Sequence, residues 1–253
     1  MGTECPECGE SYRRLTQHWA MSSSCSYPAL PERWLGLLTG ILMGDGTIHD
    51  PPSAANTRVD VCNICVTFLQ WVDEKLEWLS NGVTLHRTSD EIRAENARSD
   101  LDRISSLDYD IRDQYVLTTR RHPALNRYRH WYDSEKRYPA EQDLRPAVLK
   151  QWYVCDGHLL WGTEGHRRPQ VWLAVENERD RPGVIEGLFD TTPISPSFRS
   201  GRVMLTSDET EDFFEYIGDP VPGYEYKFVT DGRGRYRKAK EAFYWRHTTT
   251  NTA

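Results

Sequence analysis

Lysine is scarce in this chain: there are six in 253 residues, against 25 arginines. No run of 18 apolar residues occurs, which excludes an ordinary membrane-spanning helix, and no leader pattern opens the sequence. Six cysteines in a chain of this size fit metal ligation or buried thiols in a reducing compartment better than a disulfide framework. Positive charge is also in deficit. The 38 acids exceed the 31 bases, giving a net charge of −7, and taken alone that balance argues against a nucleic-acid binder. An acidic excess with arginine favoured over lysine resembles proteins of salt-loaded cytoplasms. At about 1 M salt the Debye length is only about 3 Å, so local arginine placement rather than global charge would govern binding. These absences leave a soluble, cytoplasmic protein long enough for one large or two small cores.

What the chain does contain is a repeated ending. Leu35-Gly36-Leu37-Leu38-Thr39-Gly40-Ile41-Leu42-Met43-Gly44-Asp45-Gly46 is an apolar helical run that stops on Gly-Asp-Gly. Leu149-Lys150-Gln151-Trp152-Tyr153-Val154-Cys155-Asp156-Gly157 stops on Cys-Asp-Gly. Each puts one aspartate at the last turn of an apolar helix. A buried carboxylate is costly unless it is paired or binds a metal, so two in matching contexts point to one shared site. Gly36, Gly40 and Gly44 fall on one helical stripe. Glycine in a helix interior costs about 1 kcal/mol against alanine, so such a stripe needs a close neighbour to justify it. Gly46 and Gly157 occupy positions where a left-handed cap is expected. The plain alternative for either segment alone is a core helix ending in a turn.

Ahead of these segments, residues 1–28 read as a separate unit. Cys5, Cys8, His18 and Cys25 are four soft ligands within 21 positions, a set suited to tetrahedral Zn2+, in a segment with too few apolar residues to fold unaided. Cys62 and Cys65 lie instead in an alternating strand-like run, Arg58 to Val66, and read as buried thiols. The remainder divides into residues 33–145, residues 146–230 and a basic tail, 231–253. In the first half the periodicity predicts a helix Arg33–Met43, strands Thr47–His49 and Arg58–Val66, a helix Phe68–Leu79, strands Val83–Arg87 and Asp113–Thr118, and a helix Pro123–Tyr132. In the second it predicts a helix from Pro146, strands His158–Trp161 and Gln170–Val175, a helix Glu178–Leu188, strands Ser195–Phe198 and Arg202–Thr206, and a helix Asp208–Ile217. Both halves spell α-β-β-α-β-β-α. The expected fold is therefore α+β, with two pseudo-symmetric halves meeting through the two aspartate-bearing helices.

The run Leu38 to Gly46 resembles the LAGLIDADG motif of homing endonucleases, and Trp152-Tyr153-Val154-Cys155-Asp156-Gly157 resembles its degenerate second copy. Arg121-His122-Pro123 with Trp131-Tyr132 and Pro139 looks like the linker of single-chain members, and Gly223-Tyr224-Glu225-Tyr226-Lys227 like a late segment of the same group. The resemblance covers about residues 33–230. It implies a monomer whose motif helices pack at the centre and whose two sheets form a saddle on double-stranded DNA. It also implies one metal-holding acid per motif, encoded within an intron or intein or free-standing. Asp45 and Asp156 are then the catalytic pair for Mg2+ (or Mn2+), with the adjacent Gly44 and Cys155 included in the metal site; hard divalent ions take oxygen ligands and keep most of their waters. Lys227, and less strongly Lys136, are the candidates for stabilising charge at the phosphate, Lys136 being also readable as a solvated surface lysine. A non-cleaving DNA or RNA binder of the same fold, such as a maturase or regulator, is the rival reading.

Strand alternation sets Gln170, Trp172 and Ala174 opposite buried Val171, Leu173 and Val175, and sets Arg202 opposite Val203 and Leu205. Arg58, Arg87, Arg112, Gln170, Arg199 and Arg202 are accordingly the candidates for reading bases, since arginine pairs with guanine and glutamine with adenine in the major groove. The tail, with Arg233, Arg235, Arg237, Lys238 and Lys240 interleaved with aromatics, reads equally as a phosphate clamp or as a solvated end.

Overall fold

The computed structural model describes residues 2–98, 111–133, 135–161 and 168–246. The N-terminal unit is a short hairpin, β1 (Thr3–Glu4) and β2 (Ser11–Tyr12), followed by helix α1 (Leu15–Met21). Its small core is Cys5, Leu15, Trp19 and Cys25, with Tyr12, Tyr27 and Trp78 packed around it. Trp78 joins this unit to the first half: its ring lies 5.2 Å from Trp19 on one side and 5.2 Å from Trp34 on the other.

Helix α2 (Glu32–Met43) begins with Glu32 in its first turn, where a negative charge meets the helix dipole favourably. Every residue from Trp34 to Met43 is buried. A helix apolar all round belongs in the middle of a protein rather than on its surface. Strands β3 (Gly46–His49) and β4 (Arg58–Asn63), helix α3 (Val66–Leu76), strand β5 (Ser80–Arg87), helix α4 (Ser89–Arg98) and strand β6 (Gln114–Thr119) complete the first half with a 3-10 segment, Pro123–Tyr132. Helix α5 (Pro146–Asp156) opens the second half, followed by β7 (Gly157–Trp161), β8 (Pro169–Ala174), α6 (Pro182–Phe189), β9 (Ser197–Arg199), β10 (Arg202–Met204) and α7 (Ser207–Ile217). Helix α8 (Arg233–Arg246) ends the described chain.

The two four-stranded antiparallel sheets have matching orders, β3-β4-β6-β5 and β7-β8-β10-β9. Their registers also match, because Gly46 pairs with Val61 and Gly157 with Leu173. The fold is thus α+β with two like-built halves, as the repeated pattern implied.

Several local expectations are corrected. Gly46 and Gly157 are not left-handed caps: the positive-φ glycines among the described residues are 9, 82, 201, 218 and 223, and Gly157 is extended at φ −86°. The requirement for glycine is steric, since a Cβ on Gly46 would lie 2.9 Å from Ile41 and one on Gly157 would overlap the Tyr153 ring. Helix α3 stops at Leu76 because Glu77, at φ 47°, turns the chain into a 3-10 turn. Segment 123–132 buries Leu125, Tyr128 and Trp131, a spacing of three that suits a 3-10 helix better than an α-helix. Helix α6 starts at Pro182 instead of Glu178, since the residue before a proline avoids α-helical geometry. Helix α4 was not expected. Cys65 is buried but Cys62 is only half-buried, on the outer face of β4. Residues 233–246 of the basic tail are helical and docked: Phe243 is buried between Tyr224 and Tyr226, at 5.3 and 4.8 Å.

Candidate active site

Helices α2 and α5 pack directly against each other, and the contact is between equivalent residues. Gly36 faces Ala147, Gly40 faces Gln151 and Gly44 faces Cys155. Each pair has the same sequence separation as Asp45 and Asp156, which is the signature of a twofold axis running through a self-complementary interface. The glycines are not equivalent in need. A Cβ on Gly36 would meet its nearest neighbour at an ordinary 3.8 Å, whereas one on Gly40 would lie 2.7 Å from Gln151 Cβ and closer still to the Val148 carbonyl oxygen. One on Gly44 would overlap Cys155 Cβ. The two helix ends therefore converge, bringing both aspartates to one end of the seam.

There the carboxylates interact. Burial raises the Asp45 carboxyl above the usual range, opposed by the charge of Lys227 and by a 2.7 Å hydrogen bond from Asn63 Nδ2. Burial first, and then the neighbouring Asp45 charge, push Asp156 up to about 6. A like charge that disfavours the ionisation of Asp156 in this way is a near neighbour. The Cys155 thiol beside them is held well above its ordinary value by burial and by Asp45.

Both lysines singled out from the sequence reach this place, one for each helix end. Lys227 Nζ donates to the carbonyls of Val154 at 2.6 Å and Gly157 at 2.8 Å. Lys136 Nζ donates to the carbonyl of Gly44 and, at 3.4 Å, to that of Gly46. Each caps the carbonyl-rich end of its motif helix, where a cation is favoured. Burial lowers both ammonium groups, Lys227 to about 8. Neither lysine hydrogen-bonds an aspartate, so the carboxylate pair is left without a directly bonded counter-cation among the described residues. Two converging half-buried carboxylates in that condition suit a hard divalent ion.

Asn63 is a site residue that the sequence reading missed. Val59, Val61 and Asn63 are the inward positions of β4, and an amide in an inward register was the available signal. Its Oδ1 accepts from Tyr224 Oη at 2.8 Å, so the second half's late segment holds the first half's aspartate ligand in place. The register puts Val175 at the equivalent point in the second half, and an apolar side chain there can offer Asp156 no such bond.

The outer sheet faces differ in charge. Arg58 is ion-paired to Asp60 at 2.9 Å, and Arg87 to Glu95 at 2.7 Å with a further bond to Gln114. Arg112 departs from the expected open position: it is 6% exposed and lies under the Tyr244 ring, 4.4 Å from its centroid. On the second sheet Gln170, Arg199 and Arg202 are exposed, and Arg202 lies over Trp172 at 5.2 Å.

A second cluster lies in the N-terminal unit. The ligand atoms of Cys5, Cys8, His18 and Cys25 all fall within 4.8 Å of one another. Cys8 Sγ is 3.8 Å from His18 Nε2, near the ~3.6 Å edge of a tetrahedron built with ordinary zinc bond lengths. Trp19 Nε1 donates to Cys5 Sγ at 3.3 Å, and the Tyr12 ring stacks on His18 at 3.7 Å. Burial alone would raise the Cys5 thiol, but the backbone N–H groups of Cys8 and Glu7 draw it down to about 6. Three thiol sulfurs and one imidazole nitrogen make a soft donor set, and its outer partners are in place.

Among curated proteins no sequence matches the chain. Among solved structures, "The homing endonuclease I-WcaI bound to its DNA recognition sequence" is similar with a TM-score of 0.66 at 10% identity, over 89% of this chain and 96% of that one. "Crystal Structure of LAGLIDADG Meganuclease I-AabMI Bound to Uncleaved DNA" aligns at 11% identity and TM-score 0.38, over 84% of this chain and 98% of that one. The first likeness establishes the fold. The profile of the LAGLIDADG DNA endonuclease family matches residues 35–188, which take in the ends of both aspartate-bearing helices, the first sheet and strands β7 and β8 of the second, and the chain belongs to that family.

Proposed function

We propose that this chain is a monomeric homing endonuclease that cuts both strands of duplex DNA through divalent metal held between Asp45 and Asp156. The observation that carries the reading is the convergence of one carboxylate from each motif helix across the glycine-lined seam, with a capping lysine beside each. A hard divalent ion such as Mg2+ or Mn2+ supplies an activated water and neutralises charge on the phosphorane. The backbone at Gly44 and Cys155 completes the seam next to the carboxylates. Asn63 orients Asp45, and the buried charge of Lys227 and Lys136 adds positive potential where negative charge develops on the phosphate, a placement that favours the transition state over the ground state. The outer face of the second sheet, with Gln170, Arg199 and Arg202, would take one half-site, and the outer face of the first, with Arg58 and Arg87, the other. The N-terminal unit would hold Zn2+ as a structural ion, which adds to folding outright.

Incubating the protein with a DNA library and Mg2+, then sequencing the ends, tests the reading. Wild type is expected to give cuts at a long, nearly unique site. Asp45→Asn and Asp156→Asn are each expected to lose cleavage while keeping duplex binding within a few-fold. Continued cutting by both variants would refute the assignment, and binding without cutting by wild type would favour a maturase or regulator.

A further inference from the structure

We propose that the C-terminal helix α8 is a phosphate-gripping arm, its Lys240 joining His158 and Arg202 to hold the backbone of duplex DNA beside the second half of the active site. The inference rests on the DNA-cutting reading above and adds a contact outside the stretch that defines the family.

Helix α8 lies across both halves. Tyr236 packs on Trp161 of β7 at 6.4 Å, while Tyr244 covers Arg112, which leads into β6 of the first half, at 4.4 Å. Phe243 is seated on Tyr224 and Tyr226, the segment that also carries Lys227. The contacts holding the helix are thus aromatic. Its charge is mainly of one sign: Arg233, Arg235, Arg237, Lys238, Lys240 and Arg246 stand against the single acid Glu241. Arginines elsewhere are commonly neutralised, as in Arg129–Asp50 and Arg168–Asp208. Among the described residues, the ion pair made by α8 is that of Arg235 with Asp231.

The surface beneath is also cationic. Lys227 donates to the carbonyl of Gly157, and the next residue, His158, stands exposed on the outer face of β7, in register with Trp172. Arg202 lies over that Trp172 ring. Lys240 is held 5.7 and 5.9 Å over the rings of Tyr236 and Tyr244. Tyr236, over whose ring Lys240 lies, packs on Trp161 of β7, the strand that bears His158, so Lys240, His158 and Arg202 share the second half.

A helix whose role was to shield a cationic face would carry acids to complement it. This one carries the same sign as the face and is held there by ring contacts, so a polyanion passing between them would relieve the repulsion on both sides. A lysine acts here as a point charge for phosphate and does not read bases, so the arm would tighten grip without adding sequence preference.

The probe is a random-sequence duplex of about 30 base pairs, titrated by fluorescence anisotropy across a salt series. Each lost phosphate contact lowers the slope of log K against log salt by about 0.9, equivalent to about 5-fold in affinity at 0.15 M salt. Lys240→Gln is expected to show that loss, Arg202→Gln a loss of similar size, and the distant Lys75→Gln none. If wild type shows no salt-dependent duplex binding, the DNA-cutting reading itself fails. If wild type binds and Lys240→Gln retains its slope and affinity, the arm is refuted; if Lys240→Gln binds more tightly, the helix occludes the site and the proposal is overturned.

Discussion

Two single-methyl additions on the same helix stripe are expected to act in opposite directions. Gly36→Ala and Gly40→Ala each replace glycine in the interior of α2, and each gains about 1 kcal/mol of helix propensity. At Gly36 the new methyl would meet Ala147 Cβ at 3.8 Å and Val148 Cγ2 at 3.9 Å, ordinary contact distances, so the propensity gain should survive. At Gly40 it would meet Gln151 Cβ at 2.7 Å and press on the carbonyl of Val148. Backbone cannot swing aside as a side-chain tip can, so α2 and α5 must separate. Overpacking a filled core typically costs about 1–3 kcal/mol, and contact with backbone belongs at the upper end, leaving Gly40→Ala about 1–2 kcal/mol less stable than wild type after the propensity gain. For a chain of this size about 1 kcal/mol corresponds to roughly 2–4 °C in Tm. Urea unfolding and calorimetry, run side by side, are expected to place Gly36→Ala above wild type and Gly40→Ala below it. Because the seam sets the spacing of Asp45 and Asp156, Gly40→Ala should also lose cleavage out of proportion to its stability. Equal midpoints for the two variants, or a Gly40→Ala protein as stable and active as wild type, would refute the seam geometry.

Two further outcomes follow from the site. Asp156 is held near 6 against about 3.9 in an unfolded chain, so the folded protein binds its proton more tightly; the associated stability is present below about pH 4 and is lost as pH rises through 6. The loss amounts to at most about 3 kcal/mol. Metal-free protein should therefore weaken between about pH 4 and 6.5, and Asp156→Asn should flatten that part of the stability curve; an unchanged curve would show that Asp156 is not held above the ordinary carboxylate range. Metal analysis is expected to find one zinc per chain, absent in Cys8→Ser. Stripping it should disorder the N-terminal unit and alter fluorescence from Trp19 and Trp78 while leaving the two halves folded, and an intact hairpin after chelation would show that the ion is not structural.

Much of this arrangement is legible along the chain because it is written in local pattern. The apolar runs ending in Asp45 and Asp156, the alternation in β4 and β8, and the ligand spacing from Cys5 to Cys25 each report a constraint acting within a few residues. The α-β-β-α-β-β-α order follows from those periodicities repeated twice. Scarcity of lysine singles out Lys136 and Lys227, and both reach the helix ends.

Other features depend on contacts between distant segments. Arg112 is a base-reading candidate from the sequence, but Tyr244, far along the chain, covers it. Gly46 and Gly157 carry a cap signature, yet what excludes a side chain there is Ile41 in one case and the Tyr153 ring in the other, in ordinary backbone geometry. The tail leaves two readings open, and its aromatic docking on Tyr224 and Tyr226 decides that it folds against both halves.

Short-range pattern suffices for the two half-folds and for placing one aspartate at the end of each apolar helix, since helix and strand periodicity are properties of brief stretches of chain. It could not show that Gly40 and Gly44 lie too close to the facing helix to carry a side chain while Gly36 does not, that Asn63 hydrogen-bonds Asp45 while an apolar valine stands at the matching place near Asp156, or that helix α8 docks on Tyr224 and Tyr226. Those are consequences of packing across the pseudo-twofold seam, where the partner of each residue lies about half a chain away.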